Sequence, residues 1–395
     1  MERIILHCDL NNFYASVECL DKPEYRDKPL VVSGDEKQRK GVVVAKNGPA
    51  KALGIKTGDT VFQARRKCPE LIALRPDFPK YHRYSQAVRA VYERHTDRIE
   101  AFSLDECWLD VSTECRNFEQ GRALADLLRA EIRGELGLTI SVGVSFTKVF
   151  AKLGSDMKKP DATTVISREN FKEKVWPLPV GALLYVGPAT QERLHSGGIQ
   201  TIGDLARQSP PFLSSLLGKA GQTLWMSANG LDGGEPMKSA PASRSMGAML
   251  TLPEDLTRMD QARPVIYALS DRVAGQLRRE HLCARGVQLT VKSNEFHNFD
   301  RQKQLPSPSQ FSGDLAGAAM ELLKGKDLWL RPIRLLGVRA IELQDEGAPR
   351  QLSLFEDEAE RSRRQALTGA LDALREKYGP GIIRRGVLME RKEER

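Results

Sequence analysis

The 395-residue sequence contains no apolar run approaching the roughly 18 residues that a membrane-spanning helix requires. Its opening apolar stretch, Ile4-Ile5-Leu6-His7-Cys8, is too short for the hydrophobic region of a secretory signal. Membrane and secreted readings are therefore disfavoured, and a cytoplasmic location is the expectation. The six cysteines include no Cys-x-x-Cys pair and no accompanying His-x-x-x-His, which argues against a thiolate metal site and points to a reducing compartment. Cys8 and Cys107 lie in apolar stretches, where a free thiol acts as a small core hydrophobe. There is no internal repeat. Charge of one sign is not strongly in excess: 60 Lys and Arg face 52 Asp and Glu, for a formal charge of +8. That balance permits a polyanionic partner without identifying one. With 41% hydrophobic and 28% charged residues, the composition fits a folded soluble chain rather than a disordered one. At roughly 150 residues per domain, its length suggests two to four domains.

Strands and helices alternate up to about residue 166, the pattern of an α/β layer. Ile4 to Leu10 reads as a buried strand ending near an aspartate, and Phe13 onward as a helix. Strands are expected at Pro29–Ser33, Gly41–Ala45, Thr139–Ser145 and Thr163–Ser167, and helices at Asp59–Cys68, Tyr81–His95, Phe118–Leu136 and Lys148–Asp156. Ile99–Phe102 and Cys107–Val111 flank Ser103-Leu104-Asp105-Glu106, which reads as a hairpin with two adjacent acids at its turn. Residues 180–230 break into short helical pieces punctuated by glycine, and 230–236 reads as a linker. A second α/β pattern follows over 243–344, with strands at Val287–Lys292 and Leu335–Leu343 and helices at Gln261–His281 and Ser312–Lys324. The polar tail holds one apolar island, Gln351-Leu352-Ser353-Leu354-Phe355, and a charged helical stretch over 356–378.

Asp9, Asp105 and Glu106 are the sharpest chemical feature. If their strands are neighbours, three acids converge at one sheet edge. Crowded carboxylates repel one another unless they are protonated or bound to cations. Oxygen-only ligands suit Mg²⁺, and two such ions roughly 4 Å apart would activate an attacking hydroxyl and stabilise a leaving pyrophosphate. By spacing alone, acids that merely cap strands at the surface fit equally well.

The surrounding residues favour the first reading. Asp9-Leu10-Asn11-Asn12-Phe13-Tyr14-Ala15-Ser16-Val17-Glu18, Phe102 to Asp110 and Ser141 to Lys152 resemble the Y-family translesion DNA polymerases of the DinB type. The likeness continues through Ser155-Asp156-Met157-Lys158-Lys159-Pro160, Val186-Gly187-Pro188, Ile202 to Ala206 and Arg334 to Val338, in order over residues 1 to about 344. The resemblance implies an α/β (α+β) right-hand polymerase. Its palm would be 1–18 and 78–166, its fingers 19–77, and its helix-hairpin-helix thumb 167–232. A linker over 233–242 would lead to an α/β little finger, 243–344, and a tail, 345–395. Asp9 and Asp105 match metal-bridging aspartates, Glu106 a third acidic ligand, and Leu10 a carbonyl ligand to the nucleotide-side ion, with two Mg²⁺ per site. Tyr14 falls at the steric gate that excludes a ribose 2′-OH, although Phe13 and Tyr14 would also fit as core aromatics. Lys159, Lys51 and the backbone N–H groups of Asn12, Phe13 and Tyr14 match the cradle for the incoming dNTP.

Two departures from the family pattern stand out. Gly48 replaces a tyrosine that touches the phosphates, and Lys51 offers no planar fork, so looser triphosphate binding than the family norm is expected. Asn11 stands where many DinB-type members carry Asp, which removes a charge beside the metal site and is a UmuC-like trait. Val42 and Val44 would roof the nascent base pair, or else belong to an ordinary buried strand. Gly187 in the thumb, with Arg244, Arg331 and Arg334 (and Arg339) in the little finger, would hold primer–template DNA through its phosphates. The little-finger region carries 15 Lys and Arg against 10 Asp and Glu over 243–339, part of which is an ordinary solvated basic face. Gln351-Leu352-Ser353-Leu354-Phe355 matches the pentapeptide that binds the bacterial sliding clamp, the β subunit of DNA polymerase III, with Leu354 and Phe355 as apolar anchors. The implied activity is low-fidelity translesion synthesis by a clamp-tethered monomer. A clamp-tethered non-catalytic scaffold would lack the metal acids, all of which are present. A metal-dependent nuclease would leave Tyr14 and the clamp peptide unexplained.

Overall fold

The structure is a computed structural model that describes residues 2–36, 39, 41–231, 234, 244–349, 358–379, 381–383 and 385–386. The chain divides into two compact units, residues 1–36 with 41–240, and residues 37–40 with 241–395. In chain order the first unit contains β1 (Ile5–Leu10), α1 (Phe13–Asp21), β2 (Leu30–Ser33), β3 (Val43–Lys46), α2 (Gly48–Ala52), α3 (Val61–Lys67), β4 (Ile72–Leu74) and α4 (Phe78–Glu93). It continues with β5 (Ile99–Ala101), β6 (Glu106–Asp110), α5 (Phe118–Leu136), β7 (Ile140–Ser145), α6 (Lys148–Met157), β8 (Thr163–Ile166) and the helices α7 (Phe171–Val175), α8 (Pro188–Ser196), α9 (Ile202–Arg207), α10 (Pro210–Leu217) and α11 (Lys219–Ala228). The second unit holds β9 (Ser245–Leu256), α12 (Met259–Arg279), β10 (Leu282–Ser293), β11 (Asn298–Ser309), α13 (Ser312–Leu323), β12 (Ile333–Asp345) and α14 (Glu358–Tyr378).

The five-stranded sheet that carries the acids is ordered β5-β6-β1-β7-β8, with β1 at its centre, antiparallel to both neighbours. All six residues of β1 are buried, because both faces of the sheet are covered. Leu6, Cys8 and Leu10 pack with Val88, Val91 and Tyr92 of α4 and Ala125, Leu128 and Ile132 of α5. Ile5 packs on the opposite face with Trp108 and Ala151 of α6. Gly143 of β7 makes that second contact possible. A Cβ there would lie 1.8 Å from the Ala151 carbonyl oxygen, so α6 rests directly on the strand backbone. Thr147 starts α6 by accepting the Phe150 N–H.

A three-stranded sheet, β3-β2-β4, has its own small core of Val31, Val43, Ala50, Ile55, Ala64, Cys68 and Leu71. Helices α7 to α11 share a third core with Phe146, Val149, Phe150, Leu153 and Ile166. The second unit is a four-stranded antiparallel sheet, β11-β10-β12-β9, packed against α12 and α13. The sequence reading misses β4, β9 and β11. It places the expected hairpin correctly, with Asp105 at the turn and Glu106 opening β6. All six cysteines are buried free thiols. Among the described residues no helix is long and apolar enough to cross a membrane.

Candidate active site

The antiparallel register pairs Asp9 of β1 directly with Glu106 of β6, and the Leu10 N–H donates to the Asp105 carbonyl at 3.0 Å. All three acids therefore meet at one end of the central strands. They line, with Leu10, Tyr14, Val44, Lys46, Gly48, Lys51 and Lys159, an open cavity of about 530 Å³. Strand order brings the acids together, and residues of β3 and α2 complete the lining of the cavity.

Ammonium groups occupy two of the acids. Lys159 Nζ lies 2.6 Å from Asp9 Oδ2, and Lys152 Nζ lies 2.8 Å from Glu106 Oε1. Asp156 sits beside both lysines, 2.8 Å from Lys159 and 3.7 Å from Lys152. Asp105 accepts a 2.6 Å hydrogen bond from Ser103 Oγ, which also receives the Glu106 N–H and so braces the turn. Burial raises the Asp9 carboxyl to about 7 despite the opposing pull of Lys159. Burial also works to raise Glu106, but His7 and Lys152 outweigh it and bring the carboxyl down to about 2. As they stand, no three His, Cys, Asp or Glu side chains among the described residues close around an ion position. The donor set nevertheless fits a hard divalent cation: its side chains offer carboxylate oxygens only, Asp9 is buried, and Asp9 and Glu106 already draw positive charge from two lysines.

His7, Lys152 and Asn11 are additions or corrections to the sequence reading. His7 is wholly buried beneath the site; its Nδ1 meets Ser155 Oγ at 2.8 Å, and its Nε2 faces Glu106 Oε2 at 3.7 Å. Its position two residues before Asp9 puts both on one strand face, a signal available in the sequence. Lys152 and Asp156 likewise share a helix face. Asn11 does more than remove a charge. Its Nδ2 donates to Ser141 Oγ at 2.9 Å and its Oδ1 accepts the Asp161 N–H at 2.8 Å, tying the end of β1 to the loop that carries Lys159.

Asn12 adopts a left-handed backbone (φ 50°) and starts α1, whose first N–H groups receive no side-chain cap. Phe13 is buried in the core, whereas Tyr14 is half-buried and lines the cavity. Val42 and Val44 are 41% and 40% exposed, so neither belongs to a buried strand face. Gly187 is the N-terminal cap of α8, with open space where a Cβ would be. Arg331 pairs with Glu295 at 3.0 Å, Arg334 lies 5.1 Å from the exposed Phe296 ring, and Arg244 is exposed beside β9. Residues 351–355 lie outside the described residues.

Residues 8–156 match the impB/mucB/samB family, and residues 243–354 match the C-terminal domain of that family. The chain belongs to this family, the Y-family DNA-directed DNA polymerases, and is of the DinB type. It is 46% identical over 392 residues to DNA polymerase IV of Acetivibrio thermocellus, covering 99% of this chain and 98% of that one. It is 33% identical to DNA polymerase IV of Clostridium acetobutylicum over the full length of both. A solved Y-family polymerase chimera of Dbh and Dpo4 superposes with a TM-score of 0.78 at 25% identity, covering 86% of this chain and 98% of the chimera. DNA and deoxyribonucleoside triphosphates are accordingly its substrates, and translesion synthesis its activity.

Proposed function

We propose that Asp9, Asp105 and Glu106, with the Leu10 carbonyl, hold two Mg²⁺ ions and that the chain transfers a deoxynucleotide to a primer 3′-OH with release of pyrophosphate. The observation that carries this reading is the Asp9–Glu106 pairing beside the Asp105 turn, facing a cavity that also holds Tyr14, Lys51 and Lys159. Bound there, the ions supply Lewis acidity at the attacking oxygen and at the leaving pyrophosphate. Lys159, paired with Asp9 at 2.6 Å, turns to the triphosphate when it binds, with Lys51 and the N–H groups of Asn12 to Tyr14 around it. The Tyr14 ring fills the space that a 2′-OH would need. Residues 1–18 and 78–166 serve as palm, 19–77 as fingers, 167–232 as thumb and 243–344 as little finger. Gly187, Arg244, Arg331 and Arg334 grip DNA phosphates, and 351–355 tethers a cytoplasmic monomer to the sliding clamp.

Primer extension with Mg²⁺ tests the chemistry. The wild type should extend a primer, and a variant carrying Asp105→Ala and Glu106→Ala should lose at least about a thousandfold in rate, as for removal of a principal electrostatic element. Cleavage of the DNA without extension would instead make the acids those of a nuclease. Deleting 351–355 should abolish stimulation by the clamp while leaving clamp-free extension unchanged.

A further inference from the structure

Two cations on the cavity wall lack the partners that the others have. Lys159 and Lys152 rest on Asp9 and Glu106, but Lys46 and Lys51 pair with no carboxylate among the described residues. Lys46 ends β3 and lines the cavity together with Val44, the residue skipped where the pairing of β3 with β2 shifts register. Its ammonium donates to Thr57 Oγ1 at 3.1 Å, which fixes the end of a long side chain. Asp59, an acid whose charge acts on Lys46, is held by Lys67 at 2.7 Å. Burial and the proximity of Lys51 both work against the charged form of Lys46, and an anion between the two lysines would relieve them. Between them Gly48 leaves the wall open, since a Cβ there would meet nothing within 4 Å.

We propose that Lys46 binds a phosphate of the incoming nucleoside triphosphate, with Thr57 as its positioning residue, and that Lys46 and Lys51 hold by charge what position 48 leaves unheld. This rests on the reading that the cavity receives that nucleotide. An ammonium is a compact point charge with three donors and no fixed direction. It therefore tolerates a shifted triphosphate, and its contact weakens with salt more than a hydroxyl contact does. The looser binding expected from Gly48 alone is then partly offset.

Steady-state extension across a dNTP titration tests the assignment. Lys46→Ala should raise the KM for dNTP about tenfold, a loss of one charge-assisted contact, with kcat little changed. Lys46→Arg should restore most of the loss, and Thr57→Val should raise KM by a smaller factor. The wild-type KM should climb more steeply with KCl than that of Lys46→Ala. Gly48→Tyr should lower KM in the Lys46→Ala background. Lys22→Ala, outside the cavity, controls for general charge, and matched melting temperatures control for folding. Lys159→Ala separates the role of Lys46 from that of the cavity as a whole. If Lys159→Ala raises KM and Lys46→Ala does not, the Lys46 assignment is wrong and the cavity reading stands. If neither changes KM, the cavity does not take the nucleotide and both fall.

Discussion

The ring of Tyr14 lies flat on the ring of Tyr81, with centroids 4.2 Å apart and planes 10° from parallel. Tyr81 is itself wholly buried, with its hydroxyl donating to Glu18 Oε1 at 2.7 Å. Lys80 bridges Glu18 and Asp21, and Phe78 closes the cluster edge-on to both rings. A ring supported in this way resists displacement, because moving it breaks a stacked pair worth about 0.5–1.5 kcal/mol. A bulky gate is selective only if it does not yield. Tyr14→Ala should therefore reduce the preference for dNTP over rNTP by roughly 10- to 200-fold, the range for steric discrimination of one small group. The kcat/KM ratio for the two nucleotides measures this; an unchanged ratio would remove Tyr14 from the gate.

Much of this site is legible from local pattern, and the remainder is not for identifiable reasons. Asp9 follows an apolar run bounded by Asn11-Asn12, and the acids at 105 and 106 lie between two short strand-like segments, so their convergence needs only the strand order. The missed strands β9 and β11 are both sheet edges. Their sequences carry Pro253, Pro306 and Pro308 and many polar side chains, which an edge tolerates and a central strand does not. β4 has only three residues and pairs in parallel with β2. The ties of Lys152 to Glu106, Lys159 to Asp9 and Asn11 to Asp161 span 46, 150 and 150 residues, so they depend on tertiary placement that no local window contains.

Asp9 predicts a pH dependence. Its carboxyl titrates near 7 rather than at its ordinary 3.8, chiefly through burial, so the fraction able to bind a cation falls as pH drops through 7. Proton and Mg²⁺ compete for the same oxygen atoms, so more Mg²⁺ lowers the apparent value. At subsaturating Mg²⁺, extension should decline by about tenfold per pH unit on the acid side, and raising Mg²⁺ should move that limb to lower pH. A limb near pH 4 that ignores Mg²⁺ would contradict the role given to Asp9.

Asn11 predicts a loss of nucleotide affinity from a residue that need not touch the nucleotide. In Asn11→Ala the Asp161 N–H loses its bond to Asn11 Oδ1, and Ser141 loses a donor. Leaving such buried groups unpaired costs about 1–3 kcal/mol. The melting temperature should fall, and the KM for dNTP should rise as the Lys159 loop loosens. Asn11→Asp keeps an acceptor for Asp161 N–H, and Ser141 can reverse its role and donate, so this variant should lose less on both measures. Equal losses in the two variants would mean that the amide is not acting as this tie.

Helix α14 is attached to the second unit by charge more than by core packing. Arg278 of α12 grips Asp372 with two bonds of 2.6 and 3.0 Å, and Arg364 reaches Asp314 at 2.7 Å while its guanidinium lies 4.3 Å from the Phe311 ring. Arg385, beyond the helix, meets Asp271 at 2.9 Å. Beneath these bridges lies a cavity of about 300 Å³ lined by Phe311, Leu367, Leu371 and Ile383. With a gap where side chains would otherwise interlock, the helix depends on its bidentate pair, and charge-assisted hydrogen bonds of this type contribute about 1.5–3 kcal/mol. Arg278→Ala should release α14, seen as faster tryptic cleavage within 358–378, with clamp-free extension unchanged. High salt should produce the same release in the wild type, because partly exposed pairs are screened. Resistance to trypsin in both conditions would mean that apolar contacts around the cavity hold the helix without the arginines.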